Sequence, residues 1–411
     1  MTFEFKNNQL HCEQLPVEDI TKQVKTPAYI YSADKFRSNF NSLKNAFGNF
    51  PINICFAVKS NSNIAILKLL KEQGAGADTV SAGEIQRALL AGIAPEKIIF
   101  SGVGKSKKEI QFALDNNIGQ LNVESSEELA IINKIAKAKG IKAKVSIRIN
   151  PDVDADTHDK ISTGRKHDKF GIPWDEVEEV FEKSRKLDSV EIEGVATHIG
   201  SQITSIEPFK AAFYKVAGMV KNLKAKGFNI KRVDLGGGIG IKYENETPIS
   251  LKEYANAIIE LFEPMNVKIF LEPGRSISAE AGILVTKVQF VKHAGERSFA
   301  IVDAGMNDFA RVAVYDAYHE IVAVADSGKQ QMYDVVGPVC ESSDFFGKDR
   351  LLPKLKANSL LAVMNTGAYG ASMGSNYNTR GLIPEVLVDG KELKIIRKRQ
   401  SFKQMISLEK F

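Results

Sequence analysis

From residue 52 onward the chain alternates short apolar runs with amphipathic stretches. Residues 52–58 are β-branched and aromatic and stop at Lys59, and residues 64–73 follow with apolar positions at helical spacing. The pairing recurs at 77–80 with 82–91, 98–101 with 107–116, 120–123 with 126–139, and 144–150 with 175–187. It continues at 191–198 with 205–226 and 231–235 with 251–263, and a last run, 267–271, ends at Glu272. This rhythm of about eight strand–helix alternations predicts parallel strands joined by crossover helices. Eight units fit a (β/α)8 barrel, whose chemistry sits at the C-terminal ends of its strands. An open doubly wound sheet is the competing arrangement, but no Gly-x-Gly-x-x-Gly turn follows the first strand. One stretch breaks the rhythm: residues 151–172 form a long polar loop after the fifth strand, and such loops are functional or disordered.

Outside this region the pattern differs. Residues 1–26 are mixed and punctuated by Pro16 and Pro27. Residues 28–32 read as a strand, and 34–47 as a helix with Phe36, Phe40, Leu43 and Phe47 on one side. Beyond residue 276, strands are predicted at 283–291, 298–302, 312–314, 320–324, 333–336, 360–364, 385–388 and 393–396, without long helices between them. The expected architecture is α/β: a TIM-like (β/α)8 barrel over 27–275, and a β-rich second domain built from 1–26 and 276–411.

Size agrees with two domains, since the chain has 411 residues. A 44% hydrophobic and 26% charged composition is that of a globular protein. The net charge of +5 comes from 55 basic and 50 acidic residues that are interspersed, so nucleic acid is not an expected partner. Cys12, Cys55 and Cys340 make neither a disulfide framework nor a zinc motif, which suits a reducing compartment without a metal site. The first residues, Met1 to Lys6, have neither a signal-peptide core nor a transit-peptide bias, and no apolar run reaches spanning length. A cytoplasmic protein with no membrane partner is expected.

The candidate chemistry lies where the strands end. Lys59 leaves a greasy strand, and burial there favours a neutral, nucleophilic amine that can form a Schiff base; the alternative is a lysine that snorkels to solvent. The seventh strand ends in Asp234-Leu235-Gly236-Gly237-Gly238-Ile239-Gly240, and the eighth in Glu272-Pro273-Gly274-Arg275. Loops after strands seven and eight are a frequent phosphate site in barrels, and glycines let backbone N–H groups approach an anion, although a triple glycine also serves as a flexible turn. A phosphate cradle facing a strand-end lysine fits pyridoxal 5′-phosphate (PLP), with Glu272 placed to pair its ring nitrogen. A salt bridge is the other use for Glu272. His198 ends strand six and offers a flat ring to stack on a flat cofactor, or else a structural hydrogen bond. Asp78 and Arg148 end strands two and five and read as a supporting shell or as an ordinary ion pair.

The segments FAVKSNSN (56–63), HIGSQI (198–203), DLGGGIG (234–240), EPGRSI (272–277), GPVCESSD (337–344) and GAYG (367–370) resemble the fold type III PLP-dependent decarboxylases, which have an alanine racemase-like fold. Within that family the resemblance is nearest to the branch that converts meso-diaminopimelate to L-lysine and CO2. Its most specific segments are Asn150-Pro151-Asp152-Val153, Thr163-Gly164 with Lys169-Phe170-Gly171-Ile172, residues 303–308 and Ser375-Asn376-Tyr377-Asn378. The resemblance implies roles residue by residue. Lys59 would hold PLP covalently, His198 would stack on the ring and Glu272 would pair its nitrogen. Asp78 and Arg148 would flank them. Gly237, Gly238, Gly274 and Arg275 would bind the phosphate, partly through backbone, with help from Tyr369, and Ser201 and Pro273 would also be cofactor-binding. Arg275, Arg311, Tyr315 and Tyr369 would meet the substrate, with Arg275, Arg311 and Tyr315 on its distal carboxylate and Glu341 on its distal amine. Cys340 would be a general acid, and with Glu341 would reach in from the second subunit of a homodimer. The family pattern is altered at Ser60, Val312 and the stretch from Gly381 to Pro384, all beside proposed functional positions. A decarboxylase of another amino acid, of the ornithine or carboxynorspermidine type, would share the cofactor residues but need another distal pocket. An alanine-racemase-like enzyme would add a tyrosine base on the second domain. A non-catalytic PLP-binding protein would lack residues 283–411.

Overall fold

A computed structural model describes residues 2–154, 168–325 and 328–410. The chain divides into two compact units. One comprises Phe40–Ile241 with Thr247–Ser276, the other Met1–Asn39, Lys242–Glu246 and Ile277–Phe411.

Among the described residues of the first unit, eight parallel strands close into a barrel. In ring order they are Ile52–Ala57, Gly76–Thr79, Ile98–Phe100, Gln120–Val123, Ala143–Asn150, Val190–Ala196, Arg232–Asp234 and Lys268–Leu271. The last pairs with the first, Leu271 opposite Ile54, so the sheet has no free edge. Helices follow as the periodicity requires, and their starts are written in a repeated Ser-x-x-Glu pattern. Ser81, Ser106, Ser125 and Ser250 each accept a hydrogen bond from the N–H of the glutamate three residues on. This cap satisfies an orphan donor of the first turn, an effect of about 1 kcal/mol each.

Side chains paired across parallel strands share a face, so the register defines the interior. Ala57, Asp78 and Ile99 lie side by side, as do Arg148, Ala196, Asp234 and Phe270. Cys55, Ile99 and Phe270 form a buried apolar cluster within the ring. Nearer the strand ends, polar side chains replace the branched aliphatic ones that usually fill such barrels. Beyond strand five, Ile172–Pro173 pairs with Ile149 and Asn150. Thr163-Gly164 lies outside the described residues.

The second unit is built on an antiparallel-rich sheet. Its central strand, Gly282–Ala294, pairs with Ala28–Ser32, with Arg297–Val302 and with Leu360–Val363. The sheet continues through Gln330–Val336 to Phe345–Pro353, and through Glu385–Asp389 to Glu392–Arg397. Leu10, Val17 and Ile20 pack with Ile30, Ile283, Val285, Ala362 and Val386 in its core.

Two expectations are corrected, and one strand is added. Residues 28–32 do form a strand, but its partners are Ile283 and Val386 in this sheet rather than barrel strands. Residues 312–314 are not a strand: Arg311–Tyr315 is a helical turn, because three apolar residues fit either state and the buried Arg311 fixes the outcome. Phe345–Pro353 is a strand that its lack of alternation concealed, and it pairs through two register shifts.

Among the described helices none is long and apolar enough to cross a membrane. Glu385 is fully buried, accepting from Tyr31 Oη at 2.6 Å and from Arg397 Nε at 2.8 Å. Tyr31→Phe should therefore cost about 1–3 kcal/mol, because the carboxylate loses a donor that water cannot replace. Urea denaturation of the two proteins side by side measures this, and equal midpoints would show that the bond is energetically idle.

Candidate active site at the strand ends of the barrel

Strand one is followed by a tight turn, Val58–Ser60, and the turn carries Lys59. Asn63 then caps the next helix by accepting from the Ala65 N–H at 3.0 Å, and Arg87 Nη1 donates to the Ser62 carbonyl at 2.9 Å. The turn is thus fixed on both sides. Lys59 Nζ donates to Asp78 Oδ2 at 3.1 Å, and Asp78 has no solvent exposure. Its other oxygen, Oδ1, has no hydrogen-bond partner among the described residues.

Two glycine loops meet next to this pair. Gly238 has φ of +110°, and a side chain there would lie 2.6 Å from the Gly200 carbonyl oxygen. A Cβ on Gly237 would come within 2.2 Å of the Glu272 carbonyl oxygen. Only bare backbone permits this approach. Gly237 N–H donates to His198 Nδ1 at 3.2 Å, which places the ring proton of neutral His198 on Nε2. Burial, reinforced by the Lys59 and Arg148 cations, pushes the His198 pKa well below its ordinary value, so the ring is neutral. Arg275 is buried at the start of its helical turn and donates from Nη2 to Ser201 Oγ at 3.2 Å. The Pro273 carbonyl accepts from the Ala57 N–H at 3.0 Å.

Arg148 pairs with buried Glu124 at 2.8 Å and lies over the Phe170 ring at 4.8 Å. Glu124 also accepts from the Gly102 and Gly171 N–H groups, at 3.2 and 2.7 Å, tying three loops together. Glu272 is buried beside Asp234 at the ends of strands eight and seven. Burial raises the Glu272 pKa well above the carboxylate range. Asp234 and Asp78 push it further in the same direction, and Lys59 opposes them.

Lys59, Asp78, Arg148, His198, Ser201, Gly237, Gly238, Glu272, Pro273, Gly274 and Arg275 thus all occupy strand-end positions of the barrel unit. The remaining candidates belong to the other unit. There Arg311 Nη1 donates to Tyr243 Oη and to His319 Nε2, both at 2.9 Å, while His319 Nδ1 is held by the Met364 carbonyl at 2.8 Å. Tyr315 ends the same helical turn. Cys340 is exposed, and its neighbour Glu341 accepts from Tyr377 Oη. Tyr369 sits on a left-handed backbone with φ of +55°.

Three polar residues of the barrel escaped notice in the sequence: Glu124, Gln120 and Asn122. The last two could have been found, because Gln120-Leu121-Asn122-Val123 alternates polar with apolar in a strand otherwise expected to be apolar on both faces.

Comparison with known proteins agrees with this geometry. The pyridoxal-binding domain of the pyridoxal-dependent decarboxylases matches residues 33–279. The chain is 45% identical to the diaminopimelate decarboxylase of Vibrio cholerae, over 98% of this chain and 97% of that one. It is 48% identical to the Helicobacter pylori enzyme, over 95% and 97%. The crystal structure of the Helicobacter pylori enzyme complexed with L-lysine superposes with a TM-score of 0.93 at 47% identity, covering 96% of this chain and 99% of that one. Likeness of this extent, running through both units, places the chain in the diaminopimelate decarboxylase family of PLP-dependent decarboxylases.

Proposed function

We propose that the chain decarboxylates meso-diaminopimelate to L-lysine and CO2, using PLP, as a homodimer in the cytoplasm. The observation that carries this reading is the pairing of Lys59 with buried Asp78 at the rim where the two glycine loops and Glu272 converge. The donor set fits the cofactor. It has a primary amine for an aldehyde, a buried carboxyl for a ring nitrogen, and bare backbone from two loops for a phosphate.

Lys59 holds the cofactor covalently, and Asp78 orients its amine. His198 lies against the ring, and Arg148 and Asp78 flank it. Gly237, Gly238, Gly274 and Arg275 hold the phosphate with help from Tyr369, and Ser201 and Pro273 complete the cofactor-binding set. When bound, PLP supplies an electron sink for the pair left on Cα as the bond to the carboxylate breaks. Because His198 is neutral and its Nδ1 is occupied, it contributes a flat surface rather than a charge. Arg275, Arg311 and Tyr315 bind the distal carboxylate, Tyr369 also contacts the substrate, and Glu341 binds the distal amine. The exposed thiol of Cys340 returns a proton to Cα, and Cys340 and Glu341 serve the partner subunit's site.

Lys59→Ala should fold, lose nearly all activity and no longer attach PLP on borohydride reduction, as followed by intact-mass spectrometry. Covalent trapping of PLP by that variant would remove Lys59 from its role.

Sharing of the site between subunits has its own signature. Lys59→Ala and Cys340→Ala dimers should each be nearly inactive. After subunit exchange, half the dimers are mixed with one intact site each, which restores roughly a quarter of wild-type activity. No recovery after verified exchange would place Cys340 outside the partner's site.

Arg311 tests the substrate. Its guanidinium is buried and its orientation is fixed by Tyr243 and His319. Truncating one partner of a buried charge pair costs about 2–5 kcal/mol, so Arg311→Leu should lower kcat/KM for meso-diaminopimelate by roughly 30- to 5,000-fold with PLP retained. If Arg311 only braces its own unit, the folded variant will be less stable but kinetically normal. Efficient turnover of ornithine by the wild type would move the chain to a different substrate.

A further inference from the structure

Behind Glu272 lies a second carboxylate to which the proposed reaction gives no part. Asp234 is 1% exposed. Its Oδ1 accepts from the Gly236 N–H at 3.0 Å. Its Oδ2 accepts from Gln120 Nε2 and from Asn122 Nδ2, each at 3.3 Å. Asn122 Nδ2 also reaches Glu272 Oε1 at 3.5 Å and Ser101 Oγ at 3.1 Å, so one amide bridges the two acids. The Asp234 charge adds to burial in pushing the Glu272 pKa up. Two buried carboxyls bridged by one amide cannot both ionise cheaply, so one of them holds a proton. The donors decide who keeps it. Asp234 receives three N–H groups, which stabilise its anion, whereas Glu272 receives one long contact from Asn122. Glu272 is therefore the acid of the pair and Asp234 the anion.

We propose that Asp234 is a positioning residue: a fixed anion behind Glu272 that aims its carboxyl at the nitrogen of the cofactor ring and keeps that nitrogen protonated. This rests on the reading that PLP binds in the barrel mouth with Glu272 on its nitrogen. The charge balance follows from the inventory. With Asp234 ionised, the proton of Glu272 can pass to the ring nitrogen, leaving two carboxylates facing one cation. Stripping that nitrogen of its proton would leave two anions side by side without a counter-charge, so Asp234 raises the proton affinity of the whole group. The other charged groups that face Glu272 are Asp78 on strand two and Lys59 after strand one, and the Cys55 thiol lies within the same ring. Lys59 and Asp78 offset one another across their 3.1 Å pair, which leaves Asp234 as the uncompensated charge on this side.

The test is 15N NMR of holoenzyme loaded with PLP labelled at the ring nitrogen, followed against pH. This reads the proton directly rather than through turnover. Asp234→Asn keeps the size of the side chain and an acceptor for the Gly236 N–H, and removes the charge. Its ring nitrogen should lose the proton at a pH lower by about one unit or more, a tenfold change in proton affinity. Asn122→Ala, which keeps both acids but removes their bridge, should show a smaller drop in the same direction. A ring nitrogen that holds its proton in Asp234→Asn as it does in the wild type overturns the proposal. Should Asp234→Asn fail to fold or to take up PLP, unchanged titration in Asn122→Ala overturns it equally. Glu272→Gln separates the two levels of the argument. It should lower the titration further than either variant, and if it does not, the ring nitrogen is not on Glu272 and the placement of the cofactor falls together with the role of Asp234.

Discussion

The seam between the last and first barrel strands sets the geometry on which the site depends. Lys268–Leu271 pairs in parallel with Ile52–Ala57, and the Ala57 N–H continues the ladder to the Pro273 carbonyl at 3.0 Å. Those bonds join the beginning and end of the barrel sequence and bring Lys59 to the rim that carries Glu272 and Arg275. The fit is close: a side chain on Gly274 would meet the Ala57 and Ser60 β-carbons at 3.1 Å. Closure also fixes the register of the ring, so the direction of every inward side chain follows from a backbone constraint.

That constraint carries a cost, because closure buries charge. Asp78, Arg148, Asp234 and Glu272 are all largely removed from solvent, which is unfavourable unless each is paired. Arg148 is answered by Glu124, Asp78 by Lys59, and Asp234 by its three N–H donors. Glu272 is answered least by donors, and its burial and acidic neighbours favour the protonated form. Small residues make room for this polar layer: Ala57 lies beside Asp78, Gly194 beside Ser146, and Ala196 between Arg148 and Asp234. The apolar cluster of Cys55, Ile99 and Phe270 supplies burial inside the same ring. The barrel therefore spends part of its interior on a polar array rather than on aliphatic packing.

How much of this the sequence revealed depends on the range of the interaction. The helix at Ser126–Lys139 was legible to the residue, because periodicity and the Ser125 cap are local. The positions of Lys59, Glu272 and His198 were legible because each terminates an apolar run. The strand at Ala28–Ser32 was legible as a strand, but its partners, Gly282–Ala294 and Glu385–Asp389, are chosen by distant packing that no local pattern encodes. Phe345–Pro353 contains Gly347, Lys348, Asp349 and Arg350, which resemble a turn until Gln330–Val336 is there to pair with them. Asp234 was visible as a strand end, yet its link to Glu272 runs through Asn122 from across the ring. Residues 303–308 carry part of the family resemblance, and their structure explains why in local terms. Asp303 accepts from Thr286 Oγ1 and the Lys287 N–H, and Asp308 from the Gly305 N–H, so these acids hold a turn.

The proposed substrate contacts bear on specificity. Every α-amino acid presents the same reacting end, so a barrel rim that holds the cofactor and that end cannot tell diaminopimelate from ornithine. Discrimination needs groups that meet the distal end, and a missing charge there is costly only if its partner is already buried and fixed. Arg311 meets that condition within its own unit. His319, whose Nδ1 is committed to the Met364 carbonyl, presents Nε2 as an acceptor, and Tyr243 holds the same guanidinium nitrogen. Glu341 is held differently, by hydroxyls of Tyr377 and Ser343 at an exposed position. A buried, immobilised cation rejects a ligand without a carboxylate more strongly than an exposed carboxylate rejects one without an amine. With the proposed contacts of Arg311 and Glu341, the distal carboxylate, more than the distal amine, would be the feature that the substrate must carry.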